Sequence, residues 1–379
     1  MLLPGACLGV LGGGQLGRMF AIAARTMGYR VVSWDPDPLS PAKDFSSVHL
    51  REGFEDEKGI AYFLQHVQAV TTEFENIPVD TLRKLSQHIR VIPSAESVAI
   101  CQDRIQEKTF LQNAGAPVPL FAPIYSGEDL ESAFKLTGRP ALLKRSRWGY
   151  DGKGQALVTT TKDALSTFVG WGEVPCILEQ KISFSRELSI ILARNGEGEI
   201  RSFPVAENRH RNGVLEMTSV PAEISDDCHR MVMHLSELIL QKLSYQGILA
   251  IEFFVLENGS VLVNELAPRP HNSGHFTLDA CTTDQFEQQV RVLCGLPLGE
   301  TQILSPAAMG NLMGDLWKEG DPDWSLLLSE KDLKLHLYGK ESARPGRKMG
   351  HFTILDPNTG TAMKKTMEIL RKLGSSGTQ

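Results

Sequence analysis

The stretch Ile251-Glu252-Phe253-Phe254-Val255-Leu256-Glu257-Asn258-Gly259-Ser260-Val261-Leu262-Val263-Asn264-Glu265 decides how this chain is read. Two β-rich runs flank Asn258-Gly259, the preferred dipeptide of a two-residue type I′ hairpin loop. With that loop, Glu257 pairs with Ser260, Leu256 faces Val261, Phe254 faces Val263, and Glu252 lies directly opposite Glu265. Ile251, Phe253, Val255 and Leu262 make the other face apolar too. Directly opposed residues stand about 5 Å apart, Cβ to Cβ. Two carboxylates at that spacing repel each other, and burial on an apolar sheet raises the cost. A divalent cation removes both problems; a shared proton or a partnering Arg or Lys is the alternative. Hard oxygen donors without Cys or His suit Mg²⁺ or Mn²⁺, and Mg²⁺ commonly joins one or two carboxylates to nucleotide phosphates. Strict alternation turns Asn264 to the opposite face, and only a bulge or strand end would let it join the pair.

Upstream, Lys144 ends the apolar run Ala141 to Leu143, and the loop Gly149-Tyr150-Asp151-Gly152-Lys153-Gly154-Gln155 follows. Its glycines let backbone amides point at an anion, and Lys144 and Lys153 add positive charge. There is no G-x-x-x-x-G-K-[ST], and a strand-like run follows, so this is not a P-loop. The loop reads as a nucleotide-phosphate lid able to close and exclude water. The bland alternative is a flexible hairpin.

Further out, Gly12-Gly13-Gly14-Gln15-Leu16-Gly17 satisfies G-x-G-x-x-G between a strand signal (Ala6 to Leu11) and a helix signal (Gln15 to Met27). Asp35 ends the next strand, Arg30 to Trp34, where a ribose-binding acid would stand. That pattern alone permits a nicotinamide or flavin oxidoreductase, although many βα units use such glycines only to turn. Strand signals at Ala69 to Phe74 and Arg90 to Ile92, with helical segments between, predict a parallel sheet. From Pro117 strands dominate, at Ala141 to Lys144, Gln155 to Thr159, Cys176 to Lys181, Glu187 to Ala193 and Glu199 to Val205. A helix over Asp226 to Leu243 precedes the acidic hairpin, which predicts an α+β region of mostly antiparallel sheet. After Pro306 come a short helical piece, strands at Lys334 to Tyr338 and His351 to Leu355, and a helix over Thr361 to Leu373. Between Lys331 and His351 stand Lys331, Lys334, Lys340, Arg344, Arg347 and Lys348 against only Asp332 and Glu341, either a solvated basic face or a phosphate site.

Composition sets the outer bounds. The 379 residues suggest two or three domains at ~150 each. The net charge of -6 disfavours a nucleic-acid polymer as partner. No apolar stretch approaches the ~18 residues of a membrane span, and Met1 to Gly14 lacks the basic start and cleavage site of a secretion signal. Six scattered cysteines without a C-x-x-C pair argue against a disulfide framework or zinc site and fit a reducing cytoplasm.

Lysine strand, glycine lid and paired acidic strands together resemble the ATP-grasp carboxylate–amine ligase superfamily. Within it, several runs resemble the 5-(carboxyamino)imidazole ribonucleotide synthase family: Gly12 to Met19, Glu73-Phe74-Glu75-Asn76, Gln102-Asp103-Arg104, Gly149 to Gln155, Glu207-Asn208-Arg209-His210, Asn264 to His275, and Arg344-Pro345-Gly346-Arg347-Lys348-Met349-Gly350-His351. The likeness runs from about Ala6 to Leu373, with Trp148 in place of a usual glycine and Thr72 in place of a common phenylalanine. It implies a Rossmann-like domain at 1–95, an ATP-grasp domain at 96–303 with a lid subdomain near 116–182, a small α+β domain at 304–373 and a disordered tail at 374–379.

The resemblance also implies an ADP-forming ligase of purine biosynthesis. Bicarbonate would attack the γ-phosphate of ATP to give carboxyphosphate, and the amine of 5-aminoimidazole ribonucleotide would capture its carboxyl group or released CO₂. Arg104, Lys144 and the lid (Gly149, Tyr150, Asp151, Gly152, Lys153, Gly154, Gln155) would hold phosphates. Glu179, Gln180, Lys181 and Ile182 would form the adenine hinge, Glu187 would bind the ribose, and His210 would lie against the nucleotide. Glu252 and Glu265, with Asn264 near, would carry Mg²⁺. Arg269, His271 and Asn272 would bind bicarbonate or carboxyphosphate. Gln15, Leu16, Glu73, Tyr150, Asp151 and Arg269 would face the aminoimidazole substrate, and Lys340, Arg347 and Lys348 its 5′-phosphate. His275 reads as a structural histidine. A homodimer in the cytoplasm, with no biotin and no membrane partner, completes the expectation. Other ATP-grasp ligases, such as a formate-using transformylase or a biotin carboxylase, and a non-catalytic nucleotide sensor remain open at this level.

Overall fold

A computed structural model of the chain describes residues 1–149 and 152–375. The N-terminal part is a five-stranded parallel sheet, with β1 (Cys7–Leu11), β2 (Arg30–Trp34), β3 (Val48–Leu50), β4 (Ala69–Thr72) and β5 (Arg90–Val91) in the order β3-β2-β1-β4-β5. All five β1 residues are buried, as expected of a strand covered on both faces. Helix Gln15–Thr26 covers one side through Met19 and Phe20, and Phe63 and Leu82 pack on the other.

The lid region is a four-stranded antiparallel sheet: β6 (Phe121–Ile124), β7 (Ala141–Arg145), β8 (Gln155–Val158) and β9 (Cys176–Gln180), ordered β6-β9-β7-β8. Helices Asp129–Thr137 and Thr161–Gly170 bury Leu130, Phe134 and Phe168 against it.

The remaining strands form one antiparallel sheet of nine. They are β10 (Arg186–Arg194), β11 (Ile200–Ser202), β12 (Ala206–Arg211), β13 (Val214–Val220), β14 (Gly247–Val255), β15 (Val261–Ala267), β16 (Ala307–Met313), β17 (Leu333–Leu337) and β18 (Lys348–Leu355). Their order is β15-β14-β10-β12-β13-β16-β18-β17, with β11 on β10. Helix Asp226–Lys242, capped by Ser225, packs Val232, Leu235 and Ile239 on one face. Helix Gln285–Cys294 packs Phe286, Val290 and Leu293 on the other. The sheet runs unbroken past the expected division at 303/304, because β13 pairs with β16.

Five strands were not foreseen: β3, β6, β12, β13 and β16. The expected single strand over 199–205 is instead β11 followed by β12, and β13 and β16 carry no strict alternation to announce them. β12 and β13 are joined by Asn212-Gly213, both with positive φ (53° and 77°), a two-residue hairpin loop of the type I′ kind. The last helix spans Thr359–Ser375, past the expected end at Leu373, and residues 376–379 lie outside the described residues. Among the described residues no helix is long and apolar enough to cross a membrane.

Candidate active site

The acidic hairpin reaches the expected pairing by an unexpected route. Leu256 N–H donates to Ser260 O (2.8 Å), Gly259 N–H to Leu256 O (2.9 Å), and Gly259 has φ +81°. The loop is therefore three residues, Glu257 to Gly259, and the expected pairing of Glu257 with Ser260 is incorrect. Phe254 faces Leu262, not Val263, and Val255 faces Val261. A bulge then inserts Asn264, and Glu252 returns to its place opposite Glu265. The longer loop and the bulge cancel. Because of the bulge, Asn264 joins Glu252 and Glu265 on the wall of one cavity of about 790 Å³. Burial, opposed by the charge on His210 and reinforced by Glu265 and Glu187, raises the Glu252 carboxyl to about 7.

Cationic groups face this pair. Arg104 Nη1 reaches Glu265 Oε2 at 3.1 Å, and Arg104, Lys144, Gly149, Gly152, Lys153 and Gln155 line the cavity. Gly154 (φ +72°) shapes the loop without reaching the wall, and Tyr150 and Asp151 lie outside the described residues. A Cβ on Gly213 would sit 3.2 Å from the Gly152 Cα, so the lid rests against the Asn212-Gly213 turn. Lys144 Nζ donates to Glu179 Oε2 (2.5 Å), and Lys108 stands 3.9 Å from the other carboxylate oxygen. Burial alone would raise the Glu179 carboxyl, but the charges of Lys108 and Lys144 overcome it and hold it at about 2. Glu179 thus braces Lys144 from behind, and Glu179, Gln180, Lys181 and Ile182 are not on the cavity wall. Glu187 and His210 are on it, joined by a 2.7 Å contact between His210 Nδ1 and Glu187 Oε2.

Arg269, His271 and Asn272 come to the same cavity. Glu75 grips Arg269 with both oxygens, on Nε at 2.6 Å and Nη2 at 3.2 Å, while Nη1 donates to Pro270 O at 3.1 Å. A guanidinium has five N–H donors; one on each terminal nitrogen is left over from these contacts. His271 Nε2 lies 3.6 Å from Glu252 Oε1, and burial with the Arg269 and Lys348 charges pushes its pKa well down. The imidazole is neutral at neutral pH. The Asn272 amide exchanges two hydrogen bonds with Asn311 on β16 (2.5 and 3.1 Å), so it orients its loop. Gln285 accepts the His271 N–H (2.9 Å) and donates toward the His275 ring (3.0 Å) and His271 O. His275 itself is fully buried, as a structural histidine should be. Glu75, Glu107, Lys108, Gln285 and Asn311 escaped the sequence reading. Only Glu75 carried a signal, two residues after Glu73 in a quoted run.

The glycine fingerprint is spoken for by the chain itself. Gly13 N–H donates to Asp35 Oδ2 (2.7 Å), Gly14 N–H to Glu73 Oε1 (2.5 Å) and Gly17 N–H to Glu73 Oε2 (2.7 Å). A Cβ on Gly12 would fall 2.2 Å from the Glu73 Cγ, which explains that glycine without a nucleotide. Helix-terminus amides that would hold a pyrophosphate hold a carboxylate instead. The dinucleotide alternative thus finds three of the fingerprint's amides already taken by carboxylates of the chain. Gln15, Leu16 and Glu73 line the cavity opposite Lys340, Arg347 and Lys348. Lys340 Nζ donates to Gln15 Oε1 and Lys348 O, each at 2.6 Å, and Arg347 Nη1 to Ser342 O at 2.8 Å.

Comparison with known proteins matches three family models along the chain: a ribonucleotide synthetase preATP-grasp domain at residues 6–102, an ATP-grasp domain at 109–286, and a phosphoribosylaminoimidazole carboxylase C-terminal domain at 307–374. The N5-carboxyaminoimidazole ribonucleotide synthase of Bacillus subtilis is 41% identical over 355 residues, covering 94% of this chain and 93% of that protein. This chain belongs to the N5-carboxyaminoimidazole ribonucleotide synthase family. As a member it is an ATP-grasp ligase. Among solved structures, an ADP complex of an N5-carboxyaminoimidazole ribonucleotide synthetase superposes with a TM-score of 0.92 at 37% identity, covering 100% of this chain and 99% of that one. An Aspergillus clavatus synthase in complex with ADP and 5-aminoimidazole ribonucleotide gives 0.86 at 26% identity, covering 97% and 98%.

The donor set also bears on a metal. Among the described residues no cluster of three or more His, Cys, Asp or Glu side chains is arranged to hold an ion alone. Two opposed carboxylates, one kept partly protonated by burial and like charge, fit an ion that completes its shell with phosphate oxygens and water.

Proposed function

We propose that the chain joins bicarbonate to the amine of 5-aminoimidazole ribonucleotide with cleavage of ATP to ADP and phosphate, in purine biosynthesis. The observation that supports it best is the meeting, in one cavity, of the 252/265 acid pair, the glycine lid and the half-engaged Arg269 fork. Arg104, Lys144 and the lid amides bind the phosphates, and Glu187 and His210 border the ribose. Glu252 and Glu265, with Asn264 beside them, hold Mg²⁺, which supplies charge neutralisation at the transferring phosphoryl group. The two remaining Arg269 donors present a planar fork for bicarbonate, and neutral His271 adds a contact without adding charge. A bicarbonate oxygen attacks the γ-phosphorus and ADP leaves; the substrate amine then takes the carboxyl group from carboxyphosphate as phosphate departs. Lys340, Arg347 and Lys348 bind the 5′-phosphate of the acceptor, and Glu73 with Gln15 and Leu16 faces its base. The protein's contribution is positioning, electrostatics and exclusion of water.

Bicarbonate as carboxyl source, Mg²⁺, a cytoplasmic setting, a homodimer and the three-part division at 95/96 and 303/304 belong to the same proposal. The experiment is phosphate release from ATP, assayed with bicarbonate and 5-aminoimidazole ribonucleotide singly and together, and with formate and biotin as substitutes. Release that does not require both substrates rejects the reading.

A further inference from the structure

Two ionisable side chains outside the reaction are shut away beneath the acidic strand. Glu107 and Lys108, on helix Arg104–Asn113, are 1% and 0% exposed. Lys108 Nζ donates to the carbonyl oxygen of Asn264 (2.5 Å), and Glu107 Oε1 accepts the Leu266 N–H (2.6 Å). Arg104, one turn earlier, reaches the Glu265 side chain. Positions i, i+3 and i+4 share one helix face, so this face grips three consecutive residues of β15.

β15 is the edge strand of its sheet, and Asn264 is the extra residue of the bulge. Backbone groups at such a place lack a strand partner and need another. Glu107 and Lys108 supply those partners from the neighbouring helix, one as a hydrogen-bond acceptor and the other as a donor. Buried polar groups have an attested use in fixing register. Here register decides the site. Without the bulge, the pairing of Phe253 with Val263 would continue as Glu252 with Asn264 and Ile251 with Glu265. That one-residue slip turns Glu265 to the face on which Ile251 and Phe253 pack in the core.

We propose that Glu107 and Lys108 are positioning residues that hold the bulge in place, so that Asn264 and Glu265 both face the nucleotide cavity. The proposal rests on the reading of Glu265 as a ligand of the Mg²⁺-nucleotide. Lys108 also stands 3.9 Å from Glu179, so Glu107 is the cleaner position to change.

The test uses the full chain as wild type, Glu107→Leu and Glu107→Gln, the last keeping an acceptor for Leu266 without the charge. Amide hydrogen exchange over residues 261–267 is followed in metal-free protein, and ADP binding is measured by calorimetry with and without Mg²⁺. Glu107→Leu is expected to speed exchange at Leu266 and shrink the Mg²⁺-dependent gain in ADP affinity, each by about tenfold or more, roughly 1.4 kcal/mol. Glu107→Gln stays close to wild type in both. Wild-type behaviour of Glu107→Leu in either readout overturns the proposal, as does equal damage in Glu107→Gln. If Glu107→Leu does not accumulate folded, Glu107→Gln and Lys108→Arg decide, since both must keep the wild-type Mg²⁺ response. If wild type itself shows no Mg²⁺ effect on ADP binding, the metal reading fails, and the exchange data alone judge the clamp.

Discussion

Glu75→Gln is the perturbation that isolates the bicarbonate fork, because Glu75 touches Arg269 from the side away from the two free donors. The glutamine keeps the size and one acceptor, so one of the two bonds (2.6 and 3.2 Å) is lost and the other keeps only the guanidinium's charge. A hydrogen bond to a charged group contributes ~1.5–3 kcal/mol, so the restraint on Arg269 falls by about 2–3 kcal/mol. Side-chain exposures of 16% and 19% leave little solvent screening to discount. A reactant-binding group released to wander by ~1 Å costs on the order of 10²-fold in rate. The expected result is a fall in kcat/KM for bicarbonate of about 10- to 100-fold, with the KM for ATP within about twofold of wild type. The assay is phosphate release at saturating ATP and 5-aminoimidazole ribonucleotide over a bicarbonate series, on protein shown to be folded by circular dichroism. Unchanged bicarbonate kinetics would refute the reasoning, and an equal loss for ATP would place Arg269 at the nucleotide.

Three further outcomes are expected. Glu265→Gln, with its fold verified, abolishes Mg²⁺-ATP turnover, and near-normal turnover rejects its place at the metal. Arg347→Ala raises the KM for the ribonucleotide by about tenfold or more, on the scale of a lost charge-assisted contact, while the KM for ATP stays put; equal effects remove its phosphate role. Glu252, raised to about 7 by burial first and by its acidic neighbours, holds a proton on part of the molecules at neutral pH and is deprotonated well above it. Mg²⁺ binding therefore releases roughly half a proton at pH 7 and almost none near pH 9. Calorimetry of Mg²⁺-ADP binding in buffers of different ionisation heat measures that number, and a pH-independent value contradicts the assignment.

Much of the fold was legible because hydrophobic periodicity is local. Four of the five N-terminal strands (β1, β2, β4 and β5), three of the four lid strands (β7, β8 and β9) and helix Asp226–Lys242 announce themselves within a few residues. The misjudged register turns on something less local. Asn-Gly occurs three times, at Asn195-Gly196, Asn212-Gly213 and Asn258-Gly259, and it forms the two-residue loop only at Asn212-Gly213; at Asn258-Gly259 only the glycine has positive φ. The dipeptide permits the tight loop, and packing of the flanking strands decides whether it is used. The acid pair was nonetheless placed correctly, because the longer loop and the Asn264 bulge offset each other.

The fingerprint at Gly12 to Gly17 shows the limit more sharply. Spacing identifies amides able to receive an anion, but not which anion, and here it is the carboxylate of Glu73, 56 to 59 residues away. Glu75, Glu107, Lys108 and Gln285 were hidden for the same reason, since each acts through a contact distant in sequence. Most of the groups named from residue type, spacing and family resemblance do line the cavity. Those that hold them in place could not be read that way.

The central claim is that one cavity couples ATP cleavage to carboxylation of an amine. Phosphate release from Mg²⁺-ATP, measured with bicarbonate in the presence and absence of 5-aminoimidazole ribonucleotide, tests it most directly. The account predicts rapid release only with both, together with one equivalent of acid-labile carboxylated product per ADP formed. Release with neither substrate, or with ribonucleotide alone in bicarbonate-depleted buffer, would contradict it.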